Sequence, residues 1–171
     1  SSNASDNELS KVKAVNCTFA DNFAALGAGV AQWESALGNS ELYLLNCLMQ
    51  NLDGGENYSI EEGAPDVFSL GGNQSNDATL EPYLTGTNDL NSTTNTFQNP
   101  DANNYAHTID SPASDCGVAA GAPADDIIGI PRYSTPDVGY REVKVTVGVH
   151  NVNVEVLSLQ CVPNPASDLT V

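Results

Sequence analysis

The chain has 171 residues, and its 22 acidic and 5 basic residues give a formal charge of −17, which opposes binding to nucleic acid or to an anionic membrane surface. A hydrophobic content of 40%, with 14 Gly and 9 Pro, favours a folded, turn-rich domain over a disordered chain. No apolar run approaches the roughly 20 residues of a membrane helix, so we expect no membrane insertion.

A repeat of 30 residues occupies the first part of the chain. Residues 12–17, VKAVNC, recur as residues 42–47, LYLLNC, and a weaker third copy covers residues 67–73. Apolar and polar residues alternate with a period of two, which indicates strands and disfavours helices. The pattern predicts an all-β solenoid over residues 1–73, in which each repeat forms one coil.

If neighbouring coils stack in register, the partners and directions of individual side chains can be predicted. Equivalent residues of neighbouring coils would lie about 4.8 Å apart. Alternate side chains would face inward and outward, and the constant spacing would also place Val30 beside Ile60. The predicted pairs are, inward, Val12 over Leu42 and Ala14 over Leu44, and, outward, Lys11 over Glu41 as an ion pair.

The end of each repeat predicts a ladder of polar side chains at a bend. Asn16 and Asn46 would stack there with a structural role, continued by Asn73. Cys17 and Cys47 share the next position, where either a disulfide or two thiols packed without a bond would fit. The four cysteines, which permit three connectivities, are Cys17, Cys47, Cys116 and Cys161.

Two weak candidate sites lie in the repeats. Tyr43 should point outward if its neighbours point inward, and Tyr43 and Trp33 are aromatic side chains of the kind that stack on sugar rings. Asp53 and Glu56 flank a Gly-Gly turn and are candidate calcium ligands, although a solvated acidic loop is the simpler interpretation. Calcium is therefore the one cofactor that the sequence suggests.

Residues 74–142 predict a loop-rich cap. An open end of stacked strands would expose unpaired backbone groups, and the polar stretch from Asn73 to Asp110 is suited to wrapping the end or side of the coils. Its loops would either contact a ligand or form a covering without further function. His107 and His150 are interpreted as loop or turn residues.

Residues 143–161 predict a linker that contains two strictly alternating segments. Residues 143–149 and 152–156 would form a β-hairpin around His150 and Asn151, or else one long bent strand. Pro163 and Pro165 prevent regular pairing and mark a boundary before residues 162–171.

The motifs carry a resemblance to a known family. Residues 16–22, NCTFADN, followed by residues 27–31, GAGVA, resemble right-handed parallel β-helix proteins of the pectate-lyase-like type. Residues 97–105, 111–117, 126–132 and 136–139 occur in the order seen in the choice-of-anchor Q family, with departures at Cys116 and at Tyr140-Arg141. The resemblance implies a secreted bacterial β-helix protein whose cap closes its C-terminal end and is followed by an anchoring signal.

The last ten residues, VPNPASDLTV, resemble the opening of the C-terminal sorting domain of type IX secretion cargo. The resemblance implies export through an outer-membrane translocon, and we expect the sequence to be cut from a longer protein at both ends. The residues that carry this signal are Val162, Pro163, Asn164, Pro165, Ala166, Ser167 and Asp168.

Together these patterns predict a protein that is secreted or displayed on a bacterial surface. We expect a noncatalytic adhesin, structural protein or glycan-binding protein, and we assign no catalytic residue. Lys11 and Lys13 are the only basic residues in the coils, too few for a catalytic cluster there. The alternative is a polysaccharide lyase or glycoside hydrolase whose catalytic residues lie upstream.

Overall fold

The computed structural model describes residues 9–34 and 39–143. This part of the chain is all-β apart from one short 3-10 helix at Pro100–Ala102, and none of its helices could cross a membrane. The strands are β1 (Leu9–Val15), β2 (Thr18–Ala20), β3 (Val30–Trp33), β4 (Asn39–Leu45), β5 (Leu48–Gln50), β6 (Tyr58–Glu62), β7 (Asp66–Ser69), β8 (Gln74–Ser75), β9 (Phe97–Asn99) and β10 (Asn104–His107).

Strands β1 to β8 form three parallel sheets. Their orders are β1-β4-β7, β2-β5-β8 and β3-β6, so each of β1 to β5 pairs with the strand that comes three later. We call β1–β3 the first rung, β4–β6 the second rung and β7–β8 the third rung. Beyond them, β9 and β10 pair antiparallel.

The register confirms most of the predicted pairs. Lys11 lies beside Glu41, Val12 beside Leu42 and Ala14 beside Leu44, and Val67 of the third copy lies beside Leu42. The pairing of Val30 with Ile60 is wrong, because Val30 pairs with Tyr58. The second rung reaches its third strand in eight residues from Gln50 to Tyr58, where the first takes ten from Ala20 to Val30.

The amide ladder has two members instead of three. Asn16 and Asn46 both adopt left-handed φ angles, 49° and 52°, and the Asn46 side-chain amide donates to Asn16 Oδ1 at 3.3 Å. In the third rung Gly71 and Gly72 occupy this bend, and a Cβ at Gly72 would lie 2.2 Å from Asn46 Oδ1. Asn73 therefore comes after the bend, where its Oδ1 accepts from the Cys47 amide at 2.9 Å.

The core lies inside the rungs and is closed at one end. It is built from buried inward-facing side chains that include Leu44, Met49 and Tyr58. Leu80 and Leu84, from the polar stretch that follows β8, pack against this cluster. The parallel pairing also extends past residue 73, through β8 and through a bridge between Gln74 and Leu90.

Residues 95–143 cover the outer side of β2-β5-β8. From here on, the name cap refers to these residues and not to the longer range 74–142 that the sequence predicts. Leu48 points away from the core and is buried with Ala113 and Val138 of the cap. The Gly139 amide donates to the Asn46 carbonyl at 2.8 Å, so the cap also fastens to the bend. The predicted hairpin linker, apart from Val143, and the sorting segment at 162–171 lie outside the described residues.

Candidate functional site

The outer side of β1-β4-β7 is the candidate site, and we call it the open face. Alternation along the strands turns Leu42 and Leu44 into the core, as the sequence predicts, and directs Tyr43 outward. Register places the outward residues in two rows across the three strands. The rows are Lys11–Glu41–Asp66 and Lys13–Tyr43–Phe68.

The ring and the hydroxyl of Tyr43 both contact neighbouring side chains. Its ring stacks on Phe68 with centroids 4.7 Å apart and an interplanar angle of 22°, and the Lys11 ammonium lies 4.2 Å from its centroid. Lys11 and Phe68 belong to strands on opposite sides of β4, so they cover opposite faces of the ring. The hydroxyl donates to Glu41 Oε2 at 2.9 Å. A sugar therefore has no free face of Tyr43 on which to stack unless Lys11 moves away.

Lys11 is engaged with the same group. Its Nζ lies 3.2 Å from Glu41 Oε2, as the predicted ion pair requires. Hydrogen bonding to Tyr43 first, and to Glu41 second, raises the pKa of Lys11 above its usual value. Lys11 consequently stays protonated at neutral pH, which suits an electrostatic contact and not proton abstraction.

Phe68 offers the accessible aromatic surface of this face. It is 39% exposed, and β7 is the last strand of its sheet in the described chain, so only one side of the ring is stacked on Tyr43. Phe68 was not among the residues predicted from the sequence, because the third repeat is weak. Its equivalence to Tyr43, once Val67 is aligned with Leu42, is the signal that would have found it.

Trp33 lies elsewhere, on β3. It is 60% exposed, its indole N–H donates to Glu62 Oε2 at 2.8 Å, and it lines a cavity of about 290 Å³ with Val12, Val30 and Leu42. This cavity opens where no described residue covers the first rung, which is also why inward-facing Val12 is 58% exposed. Trp33 and Tyr43 thus belong to separate sheets, and sugar binding by either residue stays a prediction.

The predicted calcium ligands do not form a built site in the described residues. Asp53 lines a cavity of about 340 Å³ together with Asp21 and Asp101, while Glu56 does not line it. Within residues 9–34 and 39–143, no group of three or more His, Cys, Asp or Glu side chains is arranged to hold a metal ion. Calcium binding at Asp53 and Glu56 remains an untested prediction.

The cap contains a buried ionic network. His107 Nε2 lies 3.0 Å from Asp137 Oδ2, and Arg132 donates to Glu142 at 3.1 Å, with all four side chains almost fully buried. Burial alone would raise the pKa of Asp137, but hydrogen bonds from His107, Val143 and Asp115 lower it overall. His107 is therefore a buried residue at the end of β10, not the loop or turn residue that the sequence suggested.

The three cysteines of the described chain, Cys17, Cys47 and Cys116, are free thiols. Cys17 and Cys47 occupy equivalent positions after the Asn16 and Asn46 bends, as predicted. Of the two alternatives that the sequence left open, the structure contains the stacked thiols.

Comparisons with known proteins found no protein-family model, no curated protein and no solved structure that matches this chain.

Proposed function

We propose that this chain belongs to a secreted or surface-displayed bacterial protein with a right-handed parallel β-helix, and that the protein binds glycans without acting on them. In-register stacking of three rungs supports the architecture, because strands at equivalent positions of successive rungs pair in the same parallel sheet. The acidic composition, with 22 acidic and 5 basic residues, is compatible with an extracellular protein that avoids nucleic acid.

The open face carries the glycan-binding proposal. Phe68 presents one aromatic surface, and carbohydrate C–H groups pack on such rings while their hydroxyls hydrogen-bond to nearby polar groups. Glu41, Asp66 and Lys13 lie in the rows around Phe68 and supply these partners. A flat, regularly spaced row of side chains suits an extended polymer better than a small enclosed ligand.

A noncatalytic role is preferred to a lyase or hydrolase on this face. Lyase chemistry on a polysaccharide needs a base that is unprotonated at working pH, and the raised pKa of Lys11 works against that role. Catalysis by residues upstream is the alternative, and it would act through side chains other than those of the open face.

A polysaccharide panel tests this function. The protein is passed over immobilised neutral and anionic polysaccharides, and both retention and release of new sugar ends are measured. We expect retention without release, and we expect Phe68→Ala to weaken retention about tenfold, in line with about 1–3 kcal/mol for a ring at the centre of a contact. Phe23→Ala is the matched control, because Phe23 is 86% exposed but lies off the open face.

The outcomes separate the alternatives. Release of new ends would favour the enzyme, whereas equal retention of the Phe68 and Phe23 variants would remove the open face from the proposal. Absence of retention on every polysaccharide would contradict glycan binding and leave a structural role.

We further propose that the protein is exported as type IX cargo through the outer-membrane translocon. The support is the resemblance of residues 162–171 to the start of a sorting domain. Removing the region from Val162 onward from the protein in its own cell should abolish its appearance outside the outer membrane. Continued secretion of the shortened protein would contradict the proposal.

A further inference from the structure

Glu41 and Tyr43 together bind one protonated amine of this chain on the open face. The Lys11 ammonium lies 3.2 Å from Glu41 Oε2 and 4.2 Å from the centroid of the Tyr43 ring. The carboxylate supplies the opposite charge, and the ring supplies a cation–π contact. Hydrogen bonding, first to Tyr43 and second to Glu41, raises the pKa of Lys11, so this pair of side chains favours the charged form of an amine.

The third rung repeats this pair of side chains. Register places Asp66 beside Glu41 and Phe68 beside Tyr43, so a carboxylate and an aromatic ring again lie two residues apart on one strand. Two residues along a parallel strand span about 6.6 Å. At the same spacing in β4, a single ammonium group contacts both side chains. Asp66 and Phe68 are both exposed, so an amine from outside the chain can reach them.

The two pairs differ in the partners that the described chain provides. The Glu41 carboxylate is shared by the Lys11 ammonium and the Tyr43 hydroxyl. Within residues 9–34 and 39–143, Asp66 takes part in no ion pair. Phe68 is stacked on Tyr43 on one side of its ring, and its other side is accessible. The pair in the third rung therefore has the chemistry of the pair in the second, but its charge is not compensated by a neighbouring cation of the described chain.

The surrounding charges favour a cation beside Phe68. On the open face, the charge of Lys11 is compensated by Glu41. Lys13 lies two strands away from Phe68, which is about 9.6 Å across the sheet and longer than the Debye length of about 8 Å at physiological salt. Asp66 is closer to the ring and has the opposite sign. The formal charge of −17 on the whole chain also attracts cations and repels anionic polymers.

From this arrangement we propose that Asp66 and Phe68 bind the protonated amine of an amino sugar, and that the open face recognises a glycan that carries free amines. The inference rests on the proposed glycan binding and names the class of glycan. Asp66 accepts hydrogen bonds from the ammonium group, and the C–H groups of the same sugar pack on Phe68. Acetylation of the amine removes its charge and weakens the contact with Asp66, but it leaves the packing on Phe68 intact.

A matched pair of ligands tests the proposal. Short oligomers of glucosamine, and the same oligomers after N-acetylation, are titrated into the full chain at about pH 6, where an aspartate is ionised and most of the sugar amines are protonated. We expect the dissociation constant of the amine form to be at least about fivefold lower than that of the N-acetylated form. Phe68→Ala should weaken the binding of both forms by the same factor, because both pack on the ring.

Asp66→Asn separates the charge from the packing. This substitution should weaken binding of the amine form about fivefold and leave the N-acetylated form unchanged, so that the preference for amines disappears. Asp110→Asn is the matched control, because Asp110 is exposed, lies after β10 and undergoes the same change of charge. Its effect on the amine form should stay below about twofold. Equal losses in the two variants would mean that net charge and not Asp66 attracts the amines, which would overturn the proposal.

The remaining outcomes distinguish a failure of this inference from a failure of glycan binding. If both forms bind equally well and both depend on Phe68, glycan binding stands and the preference for amines is wrong. Binding of neither form would overturn the inference, and the polysaccharide panel then decides whether the proposed function stands. Oligomers of lysine carry the same ammonium group without a sugar ring. If they bind as tightly as the glucosamine oligomers and depend equally on Asp66, the partner is a basic protein segment and not a glycan.

Discussion

The outer sides of β1-β4-β7 and β2-β5-β8 come from the same rungs but differ in what covers them. On the first, which is the open face, charged and aromatic side chains such as Lys11 and Tyr43 contact one another. The cap does not cover this side. On the second, Leu48, Gln50 and Gln74 lie buried beneath the cap. Two sheets of similar strand order therefore differ in their environment: one faces outward and the other packs against the cap. The identity of the outward-facing side chains accounts for this difference.

The covered side is fastened mainly by directed polar contacts. Gln50 exchanges two hydrogen bonds with the backbone of Asn95, at 2.9 and 2.6 Å, and Gln74 donates to the Pro112 carbonyl at 2.9 Å. Leu48 is the large apolar anchor among them. Buried polar contacts cost more when broken than exposed ones, so single substitutions should affect the covered side far more than the open face.

The largest effect is expected from Asp137→Ala. Asp137 lies beside His107 and accepts hydrogen bonds from the backbone amides of Asp115 and Val143, at 2.7 and 2.6 Å. Its removal leaves these buried groups without a partner, and we expect a loss of about 3–5 kcal/mol in the free energy of unfolding. Denaturant unfolding at pH 7 measures this loss.

Asp110→Ala provides the control for Asp137→Ala, because Asp110 is exposed in the same region. Its effect should stay within about 0.5 kcal/mol. A loss below about 1 kcal/mol for Asp137→Ala would mean that the buried network does not stabilise the cap.

A smaller effect is expected from Leu48→Ala, which compares the two sides directly. Leu48 is 1% exposed and packs against Ala113 and Val138, so truncation should cost about 2–4 kcal/mol. Phe68→Ala on the open face should cost less than about 1 kcal/mol, since the ring is partly exposed already. Equal losses in thermal or denaturant unfolding would show that the open face also depends on packing.

The register of the rungs could be predicted because strand alternation and a repeated motif fix it together. Lys11 with Glu41 and Ala14 with Leu44 follow from the spacing of 30 residues. The same spacing misplaced the partner of Val30, because the loop in the second rung is shorter. The weaker third copy misplaced Asn73, because Gly71 and Gly72 form the bend in the third rung. Such loop lengths do not alter the hydrophobic pattern from which the repeat is recognised.

The cap and the details of the open face were less accessible to sequence reasoning. Burial of His107 depends on Asp137, 30 residues later, and nothing in the local sequence links them. Likewise, alternation predicts that Tyr43 points outward, but the occupation of both its ring faces depends on Lys11 and Phe68 from two other strands.

The smallest effect is expected from mild acid, and it should fall on the cap. For both Asp126 and Asp137, burial favours a higher pKa, but hydrogen bonds to the carboxylates outweigh it and lower the pKa. A lowered folded pKa gives stability that is complete above the unfolded value of about 3.9 and is lost as the pH falls through the folded value. The melting temperature should therefore be level between pH 7 and pH 5 and should fall below about pH 4.

Hydrogen exchange locates this loss. Below pH 4, after correction for intrinsic rates, the amides of Asp115 and Val143 should lose protection before that of Leu44 in β4, because the first two donate to Asp137. Asp137→Asn should lower the melting temperature at pH 7 and weaken its decline in acid. If the decline is as steep in that variant, or begins between pH 7 and pH 5, groups other than the Asp137 carboxylate govern the acid response. The cap would then owe its acid sensitivity to other titrating residues.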